Sequence, residues 1–220
     1  MPCRVAIIDD HEAIGLALAQ ALAPHQDLEL VASVETVDEL LAAGQSIDLV
    51  VLDLRLADGS SPRRNVERLV NAGTEVVVYT SGENPEYLRM IAGSAVVGVV
   101  RKSDPVAVLI DTVRACAAGA TVMSTDWAAA IDADPRLAEA GLRAEEREVL
   151  QLFAAGFGRD DIVGVLELSA AQVDEAVATL RGKYARLQAP ASRSDLFARA
   201  LDDDFLPFTD LADTSRGAPR

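Results

Sequence analysis

Five side chains stand where they could do chemistry together. Asp9 and Asp10 follow the apolar run VAII at 5–8, and Asp53 follows LVVL at 49–52. Thr80 closes the run VVVY at 76–79, and Lys102 comes soon after VVGVV at 96–100. Three carboxylates held close together repel one another, so a cation should compensate them. Hard oxygen donors favour Mg2+. With a metal on two phosphoryl oxygens, a carboxylate can attack phosphorus and form an acyl phosphate. Lys102 would then pair with phosphoryl charge and Thr80 would donate a hydrogen bond to it. Such positioning and charge neutralisation is what phosphoryl transfer requires. A dinucleotide site fits worse: no G-x-G-x-x-G follows the first run, and Asp9-Asp10 would repel a pyrophosphate. His11, beside the acids, reads as a surface residue at a helix start rather than a ligand or base.

The five residues need a scaffold that brings them to one edge. The first 121 residues alternate apolar runs (5–8, 28–34, 49–52, 76–79 and 96–100) with helical patterns (12–23, 37–43, 63–72, 85–92 and 105–118). Most of the runs are continuously apolar and Val-rich, which suits parallel strands covered on both faces. Asp58-Gly59, Asn71-Ala72-Gly73, Ser81-Gly82 and Gly119 punctuate them. Five βα units make a doubly wound α/β domain. In such sheets ligands gather at the carboxyl ends of the strands, where all five residues lie.

Residues 122–140 read as a connector. Pro135 favours a break or a helix start there. Trp127, the only tryptophan, is expected to pack between segments through its large apolar area. From 142 onward the pattern is helical: 145–154 ending at Gly156, 160–166, 170–187, and 195–201 before Asp202-Asp203-Asp204. In 170–187 the apolar residues Val173, Val177, Leu180, Tyr184 and Leu187 recur at the spacing of one helix face. It follows another short apolar helix after a turn, the usual introduction of a DNA-reading helix.

Composition narrows the class. Half the residues are hydrophobic and a quarter charged, as in globular proteins. No apolar run approaches the roughly 18 residues of a membrane span, and the early acidic residues argue against a signal peptide. Cys3 and Cys116 are too few for a disulfide framework. The formal net charge is -15. Residues 1–121 carry 9 basic and 17 acidic side chains, and residues 141–205 carry 8 and 12. This balance disfavours nucleic-acid binding, whose non-specific affinity comes from Lys and Arg on phosphate.

The segments IIDDHEAIG, VVLDLRLADG, VVVYTSG and VVRKSDP, in this order and each at a strand end, resemble the receiver domain of bacterial two-component response regulators. The resemblance implies a flavodoxin-like (βα)5 fold, with Asp53 as phosphoacceptor, Asp10 as a metal ligand and Asp9 assisting. It adds the main-chain carbonyl of Arg55 as another ligand, Thr80 as the switch hydroxyl and Lys102 as the phosphoryl partner. Two positions depart from that pattern. Val99 stands where receivers usually carry a swinging Tyr or Phe, and a β-branched side chain is stiff. Leu56-Ala57 replaces a common Met-Pro.

The segment EEREVLQLFAAG and the apolar skeleton after it resemble the helix-turn-helix of NarL/FixJ (LuxR-type) regulators. The order of the two parts is that family's architecture, which implies domains at 1–121 (receiver), 122–140 (linker) and 141–205 (all-α helix-turn-helix), then a flexible tail at 206–220. Its polar positions diverge. Arg143 occupies the usual Ser/Thr cap, Asp174 a position often Lys, and Ala176 one commonly His. The groups left for DNA are Arg159, Gln172, Arg181, Lys183 and Arg186, although the cations fit a solvated helix face equally well.

The resulting expectation is a cytoplasmic response regulator, not an enzyme, holding Mg2+. A sensor histidine kinase would phosphorylate it on Asp53, and it would control transcription by binding DNA as a homodimer, using helix 195–201 to pair. The alternatives are an atypical regulator whose acidic C-terminal domain binds a protein, and one that acts without phosphorylation.

Overall fold

The computed structural model describes residues 1–82, 85–92 and 94–188. The helix expected at 195–201 and the tail at 206–220 lie outside them. Met1–Gln188 forms one compact unit.

Five strands, β1 (Cys3–Ile8), β2 (Leu28–Val34), β3 (Leu49–Leu52), β4 (Glu75–Thr80) and β5 (Val96–Arg101), form a parallel sheet in the order β2-β1-β3-β4-β5. The strands β1 and β3 flank the point where the strand order reverses, so their carboxyl ends open the crevice in which such folds bind ligands. The helices between them are α1 (Glu12–Leu22), α2 (Val37–Ala42), α3 (Pro62–Asn71), α4 (Pro85–Ala92) and α5 (Val106–Ala117). Alternate side chains of each strand enter opposite cores, as the two-residue period dictates. Val5, Ile7, Leu49, Val51 and Val77 pack with α1 and α5. Ala6, Ile8, Val50, Leu52 and Val78 pack with α2, α3 and α4. Gly98 is required on β5: a Cβ there would lie 2.9 Å from Thr112 Cγ2 and 3.2 Å from Cys116 Sγ, so α5 can seat closely only over glycine.

The stretch 122–140 is more than a connector. Val122 makes a parallel bridge to Gly98 on the edge strand, its N–H donating to Val97 O at 2.8 Å. Helix α6 (Thr125–Asp132) follows, capped by Ser124, and then a 3-10 turn over Pro135–Ala140, capped by Asp134. Pro135 therefore starts a helical turn, one of the two readings left open. Trp127 is fully buried. The sequence missed α6 because its eight residues hold a short alanine-rich run without clear periodicity.

The helical part comprises α7 (Ala144–Ala154), α8 (Arg159–Leu166) and α9 (Ala170–Gln188). Gly156, at φ 93, ends the turn after α7 in a conformation that favours glycine. The apolar stripe of α9 (Val173, Val177, Leu180 and Tyr184) is buried, and α9 packs against α7, the 3-10 turn, α8 and α4. The core on the α2–α4 side of the sheet runs without a break through Trp127 and Ile131 into Leu150, Phe153 and Tyr184.

Candidate phosphoacceptor pocket and reading helix

The sheet ladder fixes the pocket. The Asp53 N–H donates to Ile8 O (2.9 Å), the Asp9 N–H to Val34 O (3.1 Å) and the Lys102 N–H to Thr80 O (2.7 Å). Each functional residue is thus anchored by its own backbone at a strand end. Asp9, Asp53 and Thr80 are buried. Lys102 Nζ bridges the two carboxylates, 2.6 Å from Asp53 Oδ2 and 2.7 Å from Asp9 Oδ2. Asp53 Oδ1 accepts from the Arg55 N–H (3.2 Å), and Thr80 Oγ1 accepts from the Gly82 N–H (3.3 Å). The structure therefore brings Asp9, Asp53 and Lys102 into direct contact and sets Thr80 at the end of the adjoining strand.

The electrostatics follow from burial. Burial pushes the Asp53 carboxyl above its ordinary value, against the opposing hydrogen bonds from Lys102 and the Arg55 N–H, and the charge on Asp9 adds to the rise. Burial disfavours the Lys102 ammonium, yet the hydrogen bonds to Asp53 and Asp9 outweigh it and raise its pKa. A lone ammonium facing two carboxylates leaves net negative charge, the condition that a cation relieves. Ligand atoms of Asp9, Asp10, His11 and Asp53 all lie within 4.8 Å of one another, an arrangement that could hold a metal ion. His11 does sit before α1, as the sequence suggested. Its Nδ1 also lies 3.1 Å from Asp9 Oδ1 and 2.8 Å from Asp10 Oδ1, a contact that spacing alone did not reveal. Val99 is buried within the core that continues into the helical part.

The five groups left for DNA have different fates. Arg181 and Lys183 do not stand on a free face in this arrangement. Arg181 turns inward: it donates to Thr121 Oγ1 (2.7 Å) and to Val96 O, and it lies 5.0 Å over the Trp127 ring. Burial lowers its pKa to about 10, and its Nε is buried without a partner among the described residues. Lys183 donates to Glu146 Oε2 (2.6 Å) and Gly141 O (3.0 Å). Arg159 is locked to Asp174, Nε to Oδ1 at 2.7 Å and Nη2 to Oδ2 at 2.5 Å. Gln172 closes the start of α9: Ser169 N–H and Oγ each donate to Gln172 Oε1 at 2.8 Å, and the Gln172 N–H donates to Ser169 Oγ at 3.2 Å. This reciprocal pattern is a capping box. Arg186 is exposed, its Nε donating to Gly182 O (3.1 Å). Ala176, in the place of a common contact residue, is buried.

Glu146, in the first turn of α7, is a structural residue whose partners the spacing did not reveal. It is fully buried and accepts from the Arg143 N–H (2.8 Å), Arg143 Nε (2.7 Å) and Lys183 Nζ. Burial would raise its pKa, but hydrogen bonds from Lys183 and Arg143 hold it down to about 2. Its position three residues after the cap was the available signal, since a glutamate there reaches back to the cap N–H. Asp134 and Tyr184, joined by a hydrogen bond from the Tyr184 hydroxyl, tie the 3-10 turn to α9 in the same way.

A parallel sheet in this order, with a Lys-bridged carboxylate pocket at its carboxyl edge and a helix-turn-helix beyond it, defines a two-component response regulator. No protein-family model matches the chain. Over 192 residues it is 25% identical to the oxygen regulatory protein NreC of Staphylococcus epidermidis, covering 78% of this chain and 86% of that protein. Over 191 residues it is 26% identical to the DNA-binding transcriptional activator DevR/DosR of Mycobacterium tuberculosis, covering 82% and 87%. Among solved structures, RcsB of Salmonella typhimurium superposes with a TM-score of 0.54 at 19% identity, covering 91% of this chain and 99% of that one. The response regulator ChrA gives a TM-score of 0.51 at 24% identity, covering 93% and 99%. The two structural likenesses carry the fold, and the two sequence relatives extend over both parts of the chain. The chain is similar over most of its length to response regulators of the NarL/FixJ type.

Proposed function

We propose that a sensor histidine kinase phosphorylates this protein on Asp53, and that it then controls transcription as a cytoplasmic homodimer whose helix-turn-helix binds DNA. The functional division is a receiver at 1–121, a linking segment at 122–140 and a DNA-binding part at 141–205. The observation that carries the reading is Lys102 Nζ, placed between Asp9 and Asp53 at 2.7 and 2.6 Å. It holds the acceptor carboxylate in place and supplies a positive charge where a phosphoryl oxygen would arrive. Mg2+ fits the cluster: Asp9, Asp10, Asp53 and the Arg55 main-chain carbonyl are the oxygen donors that would hold it. When bound, it neutralises charge on the transferring phosphoryl group. Thr80 is the group that would donate to that phosphoryl, and Val99 passes its position to the core that joins the helical part. The DNA-binding name of DevR/DosR and the DNA complex solved for RcsB support the output side.

One observation favours a second reading. Arg181 and Lys183 are engaged inside the fold and Arg159 is paired with Asp174, which reduces the cationic surface offered to phosphate and suits a protein partner. The test is to incubate wild type and Asp53→Asn with Mg2+ and a small phosphodonor, measure the mass of each, and select random duplex DNA with the products. Phosphate on wild type alone, with enrichment of a two-fold site, is the expected result. A phosphorylated protein that enriches no duplex at any salt would favour the protein-binding reading. Failure to take phosphate would overturn the Asp53 assignment.

A further inference from the structure

The acid in the reading helix has a partner that changes its meaning. Asp174 belongs to the first turns of α9, where a negative charge opposes phosphate. It makes a two-point contact with Arg159, the first residue of α8, and both side chains are 45% exposed. Arg159 sits at the positive end of a helix, an unfavourable place for a cation. Its hydrogen bonds to Asp174 nonetheless raise its pKa. The next acid, Asp160, approaches Arg159 Nη1 only to 3.7 Å and is almost wholly exposed. It forms a salt-bridge contact beyond hydrogen-bond range, pointing into solvent.

A guanidinium has five N–H donors in a rigid planar fork. Asp174 takes one edge, through Nε and Nη2, and leaves the Nη1 side and one Nη2 hydrogen free. The fork is therefore held flat beside the start of the reading helix with its outer edge toward solvent. A planar fork fixed in this way loses little further freedom when it meets an anion. Both residues belong to the helix-turn-helix itself, so the pair persists wherever that part goes.

We infer that Asp174 is a positioning residue for DNA binding: it aims Arg159 at a backbone phosphate instead of reading a base itself. This rests on the proposed DNA-binding function. Charge alone gives the opposite expectation, because replacing Asp174 by a neutral residue removes a negative charge from the DNA-facing surface and should tighten binding. Under the present assignment that replacement frees Arg159 to swing toward Asp160 and solvent.

The test uses the full-length phosphorylated protein. Affinity is measured against salt on a duplex enriched from a random pool, and on an unselected duplex at low salt. Asp174→Asn should weaken binding to the enriched duplex by about tenfold and flatten the salt dependence by about one phosphate contact. Arg159→Gln should do the same, the double variant should be no worse than either, and Asp174→Glu should restore most of the affinity. Far-ultraviolet circular dichroism and Trp127 emission of the variants should match wild type. Equal or tighter binding by Asp174→Asn, with wild type still selecting a site, would overturn this inference and leave the DNA-binding reading intact. Wild type that binds no duplex would overturn both.

Discussion

The Arg181 guanidinium lies 5.0 Å over the ring of Trp127, the two residues coming from the reading helix and from the segment after the receiver. Among the described residues the arginine has no carboxylate as a hydrogen-bond acceptor: Thr121 Oγ1 and Val96 O are neutral. Its burial is thus compensated by dipoles and an aromatic face, a weaker arrangement than an ion pair. Nearby, a cleft of about 810 Å³ separates Val99, Val108 and Met123 from Phe153, Phe157 and Val177. Asp174 and Val177 of α9 also line this cleft.

Arg181→Ala should therefore loosen α9 without unfolding it. The expected loss of stability is about 1 kcal/mol, in the range of a partly desolvated cation–π contact. Denaturant unfolding followed through Trp127 reports it directly, since no other tryptophan contributes. An unchanged midpoint and unchanged emission would mean that Arg181 makes no real contribution to the contact.

Lys102→Met should remove the only ammonium that, among the described residues, contacts Asp9 and Asp53, and leave two buried carboxylates facing each other. Stability without metal should fall by about 3 kcal/mol, the usual cost of breaking a buried pair. Divalent cation should recover more stability in this variant than in wild type, because it compensates a larger charge excess. Thermal unfolding with and without Mg2+ checks this, and equal metal effects in the two proteins would refute it.

Glu146 sets an acid limit on the helical part. Its pKa in the fold, about 2, lies below the ordinary value of 4.5. A depressed carboxyl contributes its stabilisation above its unfolded pKa and loses it as pH falls toward the folded one. Glu146→Gln should thus be less stable than wild type above pH about 4.5, by about 2 kcal/mol for charged hydrogen bonds lost. The gap should narrow steadily toward pH about 2. Parallel unfolding titrations of the two proteins measure it, and a gap independent of pH would rule out an ionised Glu146 as its source.

Gly98→Ala should destabilise the receiver by about 2 kcal/mol through overpacking, because the new methyl meets Thr112 Cγ2 at 2.9 Å. Adding Thr112→Ser, which deletes that methyl, should recover much of the loss. Since β5 carries Lys102 just past its end, the single variant should also take phosphate on Asp53 more slowly. No recovery in the double variant would place the clash elsewhere, at Cys116.

Much of the site was legible because it depends on local order. A Val-rich run ending in Asp or Thr puts that residue at a strand end whatever else happens, and parallel strands share one carboxyl edge. Asp9, Asp53 and Lys102 could be assembled from this alone. His11 shows the limit: a residue two positions from Asp9 could be placed at a helix start, but its approach to both carboxylates depends on how the turn folds back. Glu146 shows it again, since the capping position was readable and the long-range partner Lys183 was not.

The periodicities, and with them the five-stranded sheet, the acidic edge and the three helices with their apolar stripe, are written in the order of residues along the chain. These follow from the two-residue and 3.6-residue repeats, which act along the chain. The fate of each charge was set in three dimensions. Arg181 meets Val96 across 85 positions, Lys183 meets Glu146 across 37, and Arg159 meets Asp174 across 15. Which acceptor a long cationic side chain takes depends on distance and desolvation in three dimensions, and no spacing in the sequence encodes it.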